Sequence, residues 1–152
     1  MAAQKNSTAS RELSITKTFN APVEWVWEMW ADPEHIAQWW GPNGFTTTVH
    51  QMDFKEGGEW LLTMHGPDGK HYPNKAVFKE IVPLKKIMFE HFNPDFVTTV
   101  NFEAKGKTTL MRWTMVFENP EMLEIVVKAH KADEGLKQNA EKLEKYLSPY
   151  NH

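Results

Sequence analysis

Two residues of this chain have types and positions suited to proton chemistry, Glu80 and His91. They fall on consecutive segments, residues 71–82 and 87–92, whose alternation predicts neighbouring strands. If Phe78 and Phe89 face the interior, period-two alternation turns Glu80 and His91 inward as well. A turn centred on Lys85-Lys86 then pairs them directly across the two strands. A carboxylate that orients an imidazole in an apolar pocket is a general acid/base pair. The same two groups sealed in the core would be no more than a mutually satisfied polar pair. No other catalytic signature is present: there is no Gly-x-Ser-x-Gly, phosphate loop, His-Glu-x-x-His or Rossmann glycine pattern. His35, His50, His65 and His71 lack the close spacing that zinc sites favour, so no metal is expected, and nothing calls for a cofactor.

The second chemistry the residues offer is binding. Seven tryptophans and eight methionines are more large, adaptable apolar side chains than a plain core needs. Trp30, Trp60, Met64, Phe78, Phe89, Met111, Trp113, Met115 and Val127 are the expected lining of an apolar ligand cavity.

These side chains must be positioned by strands and helices, and the most informative stretch for that is residues 19–45. It holds five of the seven tryptophans. Val23, Val26, Trp27 and Trp30 recur at i, i+3, i+4 and i+7, one apolar helical stripe. Pro22 suits the start of that helix. Asp32-Pro33 ends it, and Asp32 caps a second short helix over residues 34–39. Gly41-Pro42 and Asn43-Gly44 close the corner. On either side the chain alternates. Leu13, Ile15, Lys17 and Phe19 mark a first strand, and residues 45–54 a second whose inward parity is ambiguous. Residues 59–65 form a third, with Trp60, Leu62 and Met64 on one face. Gly66-Pro67-Asp68-Gly69 turns into the strand 71–82, where Pro73 predicts an edge or irregular start. After 87–92 come strands 96–104 and 108–117, the last with Met111, Trp113, Met115 and Phe117 on one face. Short connections imply antiparallel neighbours. Asn119-Pro120-Glu121 starts a single long helix reaching Leu147, weakened by about 1 kcal/mol at Gly135, where a bend or a close approach is expected.

This order of motifs resembles the START-like helix-grip superfamily, within it the branch named after the activator of heat-shock-chaperone ATPase. The matching residues are Ala21-Pro22, Val23, Trp27, Asp32-Pro33, Ile36, Trp39-Trp40 and Gly41-Pro42. Gly57, Gly58 and Trp60, the turn from Gly66 to Gly69, and the run from Glu80 to Pro83 follow. The resemblance spans residues 12–147 and implies an α+β helix-grip fold: a curved antiparallel sheet of six or seven strands around a long C-terminal helix, with two short helices after the first strand. It specifies fold better than activity, because one scaffold hosts different functions.

Composition bounds the rest. At 152 residues, with no cysteine, the chain is the size of one domain burying about 68 to 70% of its unfolded surface without disulfides. Residues 12–148 are expected to form that domain and residues 1–11 a mobile tail. A formal charge of −3 gives no electrostatic footprint for nucleic acid or an anionic membrane. No apolar run approaches 18 residues and the N-terminus lacks an apolar signal core, so a cytoplasmic protein is expected, with a homodimer allowed. Three functions follow in rank order. The first is a module that binds a small apolar or aromatic molecule in the cleft between sheet and helix. The second is an enzyme of the aromatase, cyclase or hydrolase kind using Glu80 and His91. The third, implied by the branch name, is a regulator of a chaperone ATPase, ranked last because the chain resembles only the smaller module of that activator.

Overall fold

A computed structural model describes residues 9–92 and 95–148. After a 3-10 turn at Ala9–Arg11, β1 (Glu12–Phe19) leads to α1 (Val23–Ala31) and α2 (Pro33–Trp39). Six strands follow: β2 (Thr46–Met52), β3 (Glu59–His65), β4 (His71–Val82), β5 (Lys86–Phe92), β6 (Phe96–Lys105) and β7 (Thr108–Phe117). The chain ends in α3 (Pro120–His130) and α4 (Ala132–Leu147). All strand pairs are antiparallel, in the order β1-β7-β6-β5-β4-β3-β2. The expected α+β helix-grip architecture is therefore present, with seven strands curved around the helical layer.

Period-two alternation selects the concave face. Phe78, Phe89, Thr98 and Met115 lie on one cross-strand row, and Ile81, Ile87, Val100, Trp113 and Ile15 on the next. α4 covers this face with Leu136, Asn139, Ala140, Leu143 and Leu147, all buried at helical spacing. Pro73 lies opposite Thr63 of β3, and the described pairing of β4 with β5 starts at Lys75.

The tryptophan corner is held by a specific accounting of backbone groups. Pro33 has no N–H, so the Met29 carbonyl near the end of α1 lacks the helical donor four residues on. The Trp39 indole Nε1 supplies it, donating to Met29 O over 3.0 Å, with the ring fully buried. Asp32 caps α2 by accepting from the Glu34 N–H at 2.9 Å. Asn139 then bolts α4 onto the corner: its Oδ1 accepts from Gly41 N at 3.1 Å and its Nδ2 donates to Trp39 O at 2.9 Å. Lys142 adds a donor to Phe45 O at 3.2 Å.

Five expectations are refined. The C-terminal helix is two helices, because Lys131 adopts a left-handed conformation (φ 51°, ψ 46°) between α3 and α4. At Gly135 the expected bend is absent, since the residue continues α4 regularly with its N–H donating to Lys131 O, and Pro42 is the neighbour that packs beside it. Within the expected tail, Ala9–Arg11 is ordered, and Arg11 Nη1 donates to Phe117 O at 2.7 Å; residues 1–8 lie outside the described residues. The ambiguous parity of β2 reflects a register shift between Val49 and Gln51. Finally, the register of β4 on β5 shifts between Phe78 and Glu80, a β-bulge that reverses side-chain parity.

Candidate functional site

The bulge decides the fate of the acid/base pair. Phe78 still faces Phe89 across the sheet, but beyond the bulge it is Ile81 opposite Ile87 that points inward. Glu80 instead lies opposite Met88, with a side chain 42% exposed and ion-paired to Lys86 at 2.8 Å. His91 lies opposite Ala76 on the concave face. The expected Glu80–His91 pair is therefore not formed, because the extra residue turns one partner out of the cleft.

His91 has a different partner. Asn74 Oδ1, a carbonyl oxygen, lies 2.6 Å from His91 Nε2, which makes Nε2–H the donor of that bond. Asn74 is itself fixed by donating from Nδ2 to Tyr72 O at 2.9 Å. The imidazole stacks on Phe96, ring centroids 4.4 Å apart and 14° from parallel. Its ring is thus held in place on two sides, by a neutral amide where the sequence predicted a carboxylate.

His91 forms part of the wall of a cavity of about 220 Å³ between the sheet, the tryptophan corner and the first turns of α4. Met64, Phe89, Trp113 and Met115, four of the predicted lining residues, are in that wall. Trp60 borders a smaller void of about 20 Å³ that shares Trp40, Asn74, Phe89 and His91 with the main cavity. Trp30, Phe78 and Met111 line neither and are instead buried in the core; Trp30 meets Trp39 and Trp113 edge to face at 4.9 and 4.8 Å. Val127 also lies away from the cavity, because the break at Lys131 ends α3 before the wall begins at Ala132.

Trp40, Gly41, Pro42, Asn74, Phe96, Thr98, Ala132, Gly135 and Asn139 are wall residues that the sequence did not single out for the cavity, whereas Leu136 lies across the cleft as the helical pattern suggests. Trp40 stacks on Trp113 (5.5 Å, 27°) and so joins the corner to the cavity. Gly135 lacks the side chain that would narrow the opening beside Pro42; an added Cβ would lie 3.7 Å from the proline ring, an ordinary contact. Among the described residues the wall contains no Asp, Glu, Lys or Arg. Thr98 Oγ1 and Trp113 Nε1, polar atoms of two of these residues, are buried without a hydrogen-bond partner. No group of three or more potential metal ligands occurs among the described residues. No helix among them is long and apolar enough to cross a membrane.

Comparison with known proteins agrees with this architecture. A solution structure of an Arthrobacter aurescens protein is 25% identical, with a TM-score of 0.88, and the match covers 95% of this chain and 90% of that one. A Mycobacterium smegmatis protein of known crystal structure is 23% identical, TM-score 0.84, with 95% of each chain covered. An AHSA1-like protein from Aeromonas hydrophila is 19% identical, TM-score 0.73, covering 91% of this chain and 93% of its own. No curated protein matches the chain. The family described as activator of Hsp90 ATPase homolog 1-like protein matches residues 20–148, a span that takes in the corner, the whole cavity wall and α4. The chain belongs to that family.

Proposed function

We propose that the protein is a binding module that holds a small, largely apolar or aromatic molecule in the cavity beneath α4. The observation that carries this reading is the cavity itself: about 220 Å³, framed by Trp40, Phe89, Phe96, Trp113 and Met115, with no Asp, Glu, Lys or Arg among the described residues of its wall. A cavity of roughly 150 Å³ with apolar walls is enough to take benzene, so this one suits a compact fused-ring molecule. Dispersion contacts with the aromatic wall and release of water from it would supply the affinity. The methionines Met64 and Met115 adapt the shape of the wall to what enters.

A native mass spectrum of the protein purified from its own host tests the reading. The expected result is a neutral adduct on the wild-type protein that is missing from Gly135→Leu, whose side chain would enter the opening. A bare mass in both, with a melting temperature that no compact aromatic raises, would sink it.

An enzymatic reading is supported by one feature, the placement of His91 in the wall and its fixed orientation on Asn74. It needs a reacting ligand within reach of that ring, and Glu80 supplies no help from the outer face. If His91→Ala abolishes turnover of a bound compound while leaving its affinity intact, the enzyme reading displaces the binding one. The family name carries the chaperone-regulator reading, which stays behind both.

A further inference from the structure

The outer face of the sheet carries a histidine pair that spacing along the chain does not reveal. His65 closes β3 and His71 opens β4, and the turn between them sets the two residues directly opposite each other. Parity turns both away from the cavity, because Trp60, Leu62 and Met64 of β3 pack on the concave side. His71 is exposed and His65 half-buried. Their Nδ1 atoms lie 2.7 Å apart, with the ring planes at 85°. Two neutral imidazole nitrogens at that distance share one proton: one ring donates its N–H and the other offers its lone pair.

The far side of His65 is fixed as well. Its Nε2 lies 2.8 Å from Thr48 Oγ1 on the neighbouring strand β2. With Nε2–H donating to that hydroxyl, the lone pair of His65 belongs to Nδ1 and points at His71. A hydrogen bond of this kind on one ring nitrogen orients a histidine that ligates a metal through the other. Two metal–nitrogen bonds of about 2.1 Å at a right angle hold their nitrogens roughly 3.0 Å apart. The pair stands slightly closer than that, so a small opening of the two exposed side chains admits a cation. Nitrogen ligands in a square or tetragonal arrangement favour Cu²⁺ and Ni²⁺.

We propose that Nδ1 of His65 and Nδ1 of His71 form a cross-strand chelate for a divalent transition-metal cation, Cu²⁺ above all, with water in the remaining positions. The cation takes the place of the shared proton. Exchange with water moves that proton from Nδ1 to Nε2 of His71, so both lone pairs face the metal and a neutral pair binds it without net proton release. No group of three or more protein ligands exists among the described residues, so this is a two-ligand, surface-accessible site. It stands independently of the cavity and of whatever the cavity holds.

The test adds substoichiometric Cu²⁺ to the untagged full chain and records electron paramagnetic resonance, with calorimetry for the affinity. The wild-type spectrum is expected to show one tight site coupled to two imidazole nitrogens. His65→Ala and His71→Ala should each lose that pattern and bind about tenfold or more weakly, and Thr48→Val should also weaken binding about tenfold, as loss of an outer partner implies. His50→Ala should bind as the wild type does, since that ring is engaged with Thr63 Oγ1 at 2.8 Å instead. A wild-type spectrum without two-nitrogen coupling, or an affinity unchanged in both His65→Ala and His71→Ala, would overturn the proposal. The wild-type spectrum needs no variant, so a substituted chain that failed to fold would not spare it.

Discussion

Replacing Trp39 probes whether the corner after β1 is the structural anchor of the site. Its ring is fully buried, meets Trp30, Trp40 and Trp113 at centroid distances of 4.9, 5.5 and 6.3 Å, and donates to Met29 O at 3.0 Å. Trp39→Ala opens a large cavity, a change that costs about 3 to 5 kcal/mol. In a domain of this length each kcal/mol lowers the melting temperature by about 2 to 4 °C, so a fall of about 6 to 20 °C is expected. Trp39→Phe separates the two contributions. It keeps most of the ring but strands the Met29 carbonyl, which Pro33 cannot serve, at about 1 to 3 kcal/mol. Thermal unfolding should be followed by far-ultraviolet circular dichroism, since the substitution also changes tryptophan emission. A fall smaller than 3 °C for Trp39→Ala would refute the burial argument. A Trp39→Phe protein that melts with the wild type would refute the assignment of the indole as the missing helical donor.

Other substitutions test separate parts of the account. Gly135→Ala should raise stability by up to about 1 kcal/mol in a denaturant titration, because the glycine is helical and the new methyl meets Pro42 at an ordinary distance. Glu80→Gln should change stability by less than about 1 kcal/mol and leave ligand affinity as it was, since its ion pair with Lys86 is solvated. A large loss of binding would mean that β4 carries no bulge in solution. Lys142, half-buried among the carbonyls of the corner, has its pKa lowered by desolvation. The folded chain therefore releases that proton before the unfolded chain does, and the associated stability is present above lysine's ordinary pKa and lost as pH falls through the lowered one. Wild-type stability should rise relative to Lys142→Gln as pH climbs toward about 10.4. A constant difference across that window would contradict it.

What the sequence revealed and what it hid follow from the same rule of alternation. Strands such as β3 and β7 were legible because Trp60, Leu62, Met64 and Met111, Trp113, Met115 keep strict parity over their whole length. Alternation carries no record of an inserted residue. Reading straight through Lys79 therefore placed Glu80 beside His91, when the bulge sends it to the outer face. The break between α3 and α4 was hidden for a related reason: Lys131 takes a left-handed conformation that usually calls for glycine or asparagine, and the nearby glycine, Gly135, is regular helix. Met64, Phe89, Trp113 and Met115 of the cavity wall were readable from strand parity, as was His91. Asn74, Thr98 and Asn139 were not, because hydrophobic patterning passes over inward-facing polar residues. A signal for Thr98 did exist, since it shares the parity of Val100 and Phe102 on β6.

Uptake of a small molecule by the cavity under α4 can be read from an NMR titration of the labelled wild-type protein with 1-indanone, a compact fused-ring ketone. Saturable shifts are expected, grouped at the methyls of Met64, Met115 and Leu136 and at the Trp113 indole, on residues that line the cavity. The exposed Ile125 on α3 should be unaffected. Shifts that centre on Ile125 and the outer face of α3, or a spectrum that does not respond, would contradict it.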